Sequence, residues 1–246
     1  MKTFSDYSKC DCKGIQFIHR KGTSDLQAIE EVVAKNSYER KRVLGHPGLK
    51  FQIEHGETWI DIGGNIGAFA LLAASKGAEV LSFEPDPENY AMLCHNIKIN
   101  DFGKRVKSYE FGLYAGKESK TLNFYRNSNK GKLWRNGFYK KWRNGECISA
   151  RLEPVQNYWN ENNCIKLDAE GAEMEILESY AKHPVRKLVF EWSFDVDSSI
   201  PRFMHVINQL RKVYKHVLNA KVDQSVSHWK PEWFPPAKTI WCMNEN

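Results

Sequence analysis

The sequence predicts an α/β fold: a Rossmann-like, seven-stranded, mostly parallel sheet with a C-terminal antiparallel pair, an N-terminal helical segment and a small β-meander insertion. Three observations predict it. From Glu57 onward, short apolar runs alternate with runs of helical periodicity, the pattern of βαβ units. The first such run, TWIDI, passes through a glycine-rich turn into a helical stretch. The last two runs, KHVLNA and KTIWCMN, are joined by a long loop, HWKPEWFPP, with no helix between them.

Taken in order, TSDLQAIEEVVA reads as a helix with Ser24 and Gln27 in capping-box spacing, placed across one mouth of the sheet. TWIDI is a buried strand, and NIGAFALLAASKG is a helix closed by Gly77. AEVLSF is the second core strand; Asp86 caps the next helix, DPENYAMLCHNIKIN, with Pro87 at its first position. VKSYEF, CIKLD and KLVFEW continue the sheet, with helices GAEMEILESYAKH and PRFMHVINQLRKVY after the last two. TLNFY and ECISARL are further strands, flanking a segment in which WRNG occurs twice. Asn136-Gly137 and Asn144-Gly145 suit type I′ turns, so KLWR, FYKKWR and ECISARL form a meander within about residues 126–152. No Pro-, Gly- or Ser-rich linker divides the chain, which predicts one domain over residues 1–246, with a helical segment at 1–56 and the core at 57–246.

The 246 residues are enough for a sizeable core without disulfide staples. Six cysteines without a C-x-x-C pair read as buried thiols, and a formal charge of +6 admits anionic partners without selecting one. The N-terminus lacks the apolar core of a signal peptide and no run is long enough to span a membrane, so the expected setting is cytoplasmic, with no membrane partner.

Two stretches bear on chemistry. In WIDIGGNIGAFA, Asp61, Gly63, Asn65 and Gly67 form D-x-G-x-N-x-G where a strand turns into a helix, so backbone N–H groups and the helix dipole can face a ligand's negative end. Glu84, at the end of the second core strand, is placed to accept both hydroxyls of a ribose. In NCIKLDAEGAEMEIL, Lys166, Asp168 and Glu170 alternate, so an extended strand points them to one side at its C-terminal end; the bland alternative is a Lys166–Asp168 structural pair. Glu173 falls in the first turn of the following helix, where the dipole favours an acid.

The glycine pattern resembles motif I of class I S-adenosylmethionine-dependent methyltransferases. Together with FEPDPENY, HNIKIN and the K-x-D-x-E-G-x-E block, it is similar to the FkbM-type methyltransferase family from about Gly22 to about Trp192, Tyr38 included, with Gly64 where the family commonly has alanine. The resemblance implies S-adenosyl-L-methionine as cofactor, held by Asp61, Gly63, Gly64, Asn65, Gly67 and Glu84, with Glu110 and Phe111 near the adenine. It also implies transfer to oxygen, often on a sugar or glycan. A hydroxyl needs a base or a metal to become a nucleophile. Asp168 is the expected base or ammonium ligand, Glu170 the second candidate and Lys166 the group that orients Asp168. No metal is required; Asp168 with Glu191 would be the carboxylates for a divalent ion.

Expected acceptors are a sugar, a glycan or a nucleotide sugar. The rival is RNA cap or ribose methylation: Arg126, Lys130, Lys132, Arg135, Lys140, Lys141 and Arg143 are interleaved with Trp134, Phe138, Tyr139 and Trp142, which suits a single-strand groove. The lysine, aspartate, lysine, glutamate tetrad of capping-type enzymes finds only Asp168 and Lys187 as candidates. A binding protein that keeps the fold without catalysis is the third reading. Trp134, Arg135, Trp142 and Arg143 are the expected substrate contacts, on an arm able to reach over the transfer site.

Overall fold

The computed structural model describes residues 6–41, 48–126, 137–138, 145–194, 196–221 and 237–244. The chain opens with a hairpin, β1 (Tyr7–Cys12) and β2 (Ile15–Arg20), followed by α1 (Asp25–Ile29), which continues as a π-helical turn over Glu30–Ala34. Then come β3 (Thr58–Ile62), α2 (Ala68–Ser75), β4 (Glu79–Phe83), α3 (Pro87–Ile99) and β5 (Val106–Tyr109). An insertion of β6 (Gly112–Tyr114), β7 (Lys120–Tyr125) and β8 (Cys147–Pro154) precedes β9 (Cys164–Leu167) and α4 (Glu173–Tyr180). The chain ends with β10 (Lys187–Ser193), α5 (Ile200–Val213), β11 (His216–Leu218) and β12 (Ala237–Met243).

The main sheet has seven strands in the order β11-β12-β10-β9-β3-β4-β5; β12 is antiparallel to both neighbours and the others run parallel. This is the class I methyltransferase architecture expected from the sequence. The central strands are buried on both faces, as parallel strands must be when crossover helices cover them. Alternation divides the core: Ile60, Ile165 and Phe190 face α4 and α5, whereas Trp59, Val80 and Val189 face α2, α3 and the N-terminal segment. Sandwiched there, α2 buries Ala68 to Ala74, all apolar, and only its last residue, Ser75, is exposed.

Three expectations change. The N-terminal segment is not purely helical, because Lys13 and Gly14, at φ 54° and 80°, make a two-residue hairpin turn that Lys-Gly signals less strongly than Asn-Gly. The hairpin is held by α3: the Asn96 side chain accepts from Ile18 N at 2.7 Å and donates to Ile18 O, and Asn100 repeats the pattern on Gln16. One helical turn apart, the two amides stand in for a neighbouring strand. Ser24 makes no side-chain cap bond; Thr23 Oγ1 receives Asp25 N instead. Only Cys164 and Cys242 are buried among the six free thiols, and Cys147 is exposed.

In the insertion, ECISARL pairs antiparallel with TLNFY and parallel with β6. Gly137 bridges the other side of Tyr125, and Phe138 packs edge-on against Phe124 at 5.0 Å. KLWR and most of FYKKWR lie outside the described residues, as do Trp134, Arg135, Trp142 and Arg143. No described helix is long and apolar enough to cross a membrane.

Candidate active site

Alternation along three parallel strands places a polar row beneath the glycine loop. Ser82, Asp61 and Lys166 are direct neighbours in register across β4, β3 and β9, all on the α2 face. Asp61 is wholly buried; its Oδ2 accepts from Ser82 Oγ at 2.8 Å and its Oδ1 lies 3.2 Å from Lys166 Nζ. Lys166 also donates to Gly63 O at 2.7 Å. Burial alone would lower the Lys166 pKa, but Asp61 and Asp168 outweigh it, and the ammonium is held above its ordinary value. A buried pair with these extra hydrogen bonds meets the condition for tolerating charge in a core.

Above this row lies a cavity of about 440 Å³, the size of a small-molecule site. Its walls are the glycine loop, the ends of β4, β9 and β10, the first helix and the insertion. Gly63, Gly64, Asn65, Glu84, Asp168, Glu170 and Glu191 all reach it, so the strand ends converge as expected.

The glycine loop works by closeness more than by free donors. Gly63 and Gly64 both donate to Phe83 O, Asn65 N donates to Glu84 and Gly67 N to Gly64 O, so these four N–H groups are engaged within the fold. A Cβ on Gly63, whose φ is 86°, would sit 1.9 Å from Asp168 O, and one on Gly64 would sit 2.3 Å from Ser82 Oγ. The glycines let β9 and β4 press against the turn.

Glu84 accepts from Asn65 N at 2.7 Å on Oε2, and from Asp86 N at 2.9 Å and Asn89 Nδ2 at 3.4 Å on Oε1, leaving a lone pair of Oε2 for a ligand. Burial, reinforced by Asp86, lifts its carboxyl to about 7 against those N–H groups. Burial and Asp168 likewise raise Glu191 and Glu173, each to about 8.

Several sequence expectations are corrected here. Asp61 does not line the cavity, because its position in β3 turns it onto the polar row. Glu110 and Phe111 are not among the lining residues either: β5 ends at Tyr109, Glu110 is exposed, and Phe111 packs on Phe83 and Tyr109. Gly112 and Leu113, the next residues, line it instead. The Lys166–Asp168–Glu170 alternation breaks after Leu167, where β9 ends, and Glu170 adopts a left-handed φ of 50°. Lys166 is 3.7 Å from Asp168, farther than from Asp61. Glu173 is buried and accepts from Ala169 N and Gly171 N, so it clamps the acidic loop rather than merely answering the helix dipole.

Arg126 is committed to Asp86 through two bonds of 2.7 and 2.8 Å and to Glu146 at 2.9 Å, which removes it from a phosphate-binding row. Lys187 begins β10 and pairs with Glu57 at 2.7 Å. In register it lies opposite Cys164, four residues before Asp168, or about 13 Å along the strand direction, so the two do not join in a tetrad. Among the described residues no group of three or more His, Cys, Asp or Glu side chains is arranged to hold a metal, although Asp168 and Glu191 both reach the cavity.

Sequence reasoning missed Lys35 and Glu31 as cavity residues, and missed Tyr38, whose hydroxyl donates to Asp168 Oδ2 at 2.8 Å; Phe138, read only as an aromatic of the arm, also lines the cavity. Glu31 and Lys35 lie far in sequence from the motifs; for Tyr38 the only signal was its place within the FkbM resemblance.

Residues 61–215 match the methyltransferase FkbM domain. The chain belongs to the FkbM methyltransferase family. The match begins at Asp61, so the FkbM domain takes in the polar row, the glycine loop and the acidic loop, while Tyr38 and the first helix precede it. Among curated proteins, this FkbM chain is 26% identical over 151 residues to methyltransferase sdnD of Sordaria araneosa, covering 48% of this chain and 58% of that protein. It is 31% identical over 93 residues to a tRNA (guanine(37)-N(1))-methyltransferase of Danio rerio, covering 35% and 19%. Among solved structures, methyltransferase FkbM from Methylobacillus flagellatus KT aligns with 88% of this chain and 53% of its own at 16% identity and a TM-score of 0.49. The alignments thus span less than two thirds of these relatives' lengths.

Proposed function

We propose that this chain is an S-adenosylmethionine-dependent O-methyltransferase whose acceptor is a sugar or glycan hydroxyl. The observation that carries the reading is the placement of Asp168. It enters the cavity from the end of β9, directly beneath the glycine loop, with Oδ2 hydrogen-bonded and no hydrogen bond to Oδ1 among the described residues.

The cavity fits the cofactor. Its volume, the backbone brought close by Gly63 and Gly64, and the carboxylate of Glu84 with a lone pair to spare suit a nucleoside with an amino-acid tail. Glu84 would hold the ribose hydroxyls, and Asp168 and Glu191 would face the cationic end. S-adenosylmethionine, when bound, would supply an electrophilic methyl group, with its sulfur as the leaving group that keeps the C–S electron pair. Asp168 Oδ1 would take the hydroxyl proton, and Glu170, also on the cavity wall, is the second candidate base. The first helix, with Ala28 and Val32 on the wall, shields the site from water.

Two features favour a neutral hydroxyl over a phosphate-bearing acceptor. Glu31, Glu84, Asp168, Glu170 and Glu191 line the cavity against Lys35 and Lys166; even with Glu191 largely protonated and Glu84 partly so near neutral pH, negative charge exceeds positive, which disfavours phosphate. Phe124 and Phe138 add aromatic surface suited to a sugar face.

The test is methyl transfer from labelled S-adenosylmethionine to a panel of neutral glycans, nucleotide sugars and RNAs, read by mass spectrometry. Label is expected in a neutral glycan; label in RNA alone would sink the acceptor assignment. Asp168→Asn is expected to lower turnover by roughly 100-fold or more while S-adenosylmethionine affinity stays within about tenfold. Near-normal turnover in that variant removes Asp168 as the base.

A further inference from the structure

We propose that Tyr38 is a positioning residue for Asp168: its hydroxyl fixes one carboxylate oxygen so that the other faces the transferring methyl. This rests on the reading of Asp168 as the base and adds a contribution from outside the FkbM-matched residues 61–215.

Oδ2 of Asp168 receives the Tyr38 hydroxyl at 2.8 Å and lies 3.7 Å from Lys166 Nζ. Tyr38 is itself held on three sides. Its ring stands edge-on to Phe69 of α2 at 5.6 Å, its carbonyl accepts from Trp241 Nε1 of β12 at 3.0 Å, and Lys166 Nζ lies 5.6 Å from the ring centre. Tyr38 is 5% exposed, so the direction of its ring is set by packing and not by solvent. Burial and the neighbouring Asp168 and Glu191 push the phenol well above its ordinary pKa, which keeps it a donor.

Lys166 cannot do the same work alone, because its short bond goes to Gly63 O and its nearest carboxylate is Asp61. The main chain is held, since Asp168 N donates to Ile62 O at 3.0 Å, but that bond does not set the side-chain rotamer. One directed hydrogen bond from a rigid ring therefore selects the Asp168 rotamer. The other charged groups around the cluster are Asp61 on β3, Glu191 on β10, Glu173 on α4 and Glu31 on the first helix; among the described residues, the side-chain hydrogen bond to the Asp168 carboxylate comes from Tyr38.

The test needs no acceptor. Sinefungin carries an ammonium group where S-adenosylmethionine carries the transferable methyl, so its affinity relative to S-adenosylhomocysteine reads the geometry of the base. Calorimetry on the wild type, Tyr38→Phe, Asp168→Asn and the double variant gives a cycle. Tyr38→Phe is expected to keep the melting temperature and S-adenosylhomocysteine affinity, and to lower the sinefungin preference about tenfold. Asp168→Asn should abolish the preference, and adding Tyr38→Phe should then change nothing further. With a methyl acceptor in hand, Tyr38→Phe should lower kcat with little change in KM for S-adenosylmethionine. If Asp168→Asn loses the preference while Tyr38→Phe retains it, the positioning role is overturned and the base assignment stands. If Asp168→Asn retains it, both fall.

Discussion

Glu84 and Gly63 show how one side chain, or the lack of one, answers two demands. Glu84 is both a candidate ribose ligand and the acceptor for Asn65 N and Asp86 N. Glu84→Ala should therefore weaken S-adenosylmethionine binding about 10- to 100-fold and also lower stability by roughly 1–3 kcal/mol for each donor left unpaired. Calorimetry and urea unfolding separate the two effects; unchanged affinity with lowered stability would leave Glu84 a purely structural clamp. Gly63→Ala should destabilise by at least about 1–3 kcal/mol through the positive φ alone, before the Asp168 carbonyl is displaced. Both residues were legible from the motif. What was not legible is that the Gly63 requirement comes from a strand far along the chain, because a Cβ clash is a property of two segments meeting.

At the scale of elements, the core strands and helices followed from periodicity and caps: Asp86 accepts from Glu88 N with Pro87 next to it, as its position before a helical run implies. The N-terminal hairpin did not. Its alternation is weak and its anchoring amides sit on α3, where Asn96 and Asn100 look like ordinary helix polars. Asn96→Ala should cost about 1–3 kcal/mol and raise amide exchange at Ile18 more than in β9, measured by hydrogen exchange. The insertion is tied to the cofactor side by another chain of contacts: Arg126 of the insertion grips Asp86, whose backbone N–H reaches Glu84. Gly137 comes close enough that its Cβ would lie 2.9 Å from Glu170 O. Gly137, the last residue of the first WRNG tetrad, thus touches the acidic loop.

For the whole molecule, the consequence is a charge contrast: a chain of formal charge +6 encloses an acid-lined cavity. The carboxyls of Glu84, Glu173 and Glu191 are raised to about 7, 8 and 8, above the unfolded value near 4.3. Each favours the protonated fold, so its stabilisation is complete below about pH 4.3 and is lost as pH rises through 7 to 8. Melting temperature without ligand should fall between pH 5 and 8 from these groups, and a cationic ligand should offset the fall by favouring their ionised forms. S-adenosylmethionine affinity should accordingly rise from pH 6 to 8; a flat affinity profile would contradict the acidic cavity as its binding site.

By itself the sequence determined the sheet, the crossover helices, the glycine loop and the acidic block, because each is written in local periodicity and short spacing. Only the tertiary structure decided which acids share a cavity, that Asp61 and Lys166 form a buried row, and that Tyr38 reaches Asp168 across 130 positions of chain. Those facts depend on strand register and helix placement, which bring together side chains that no local pattern connects.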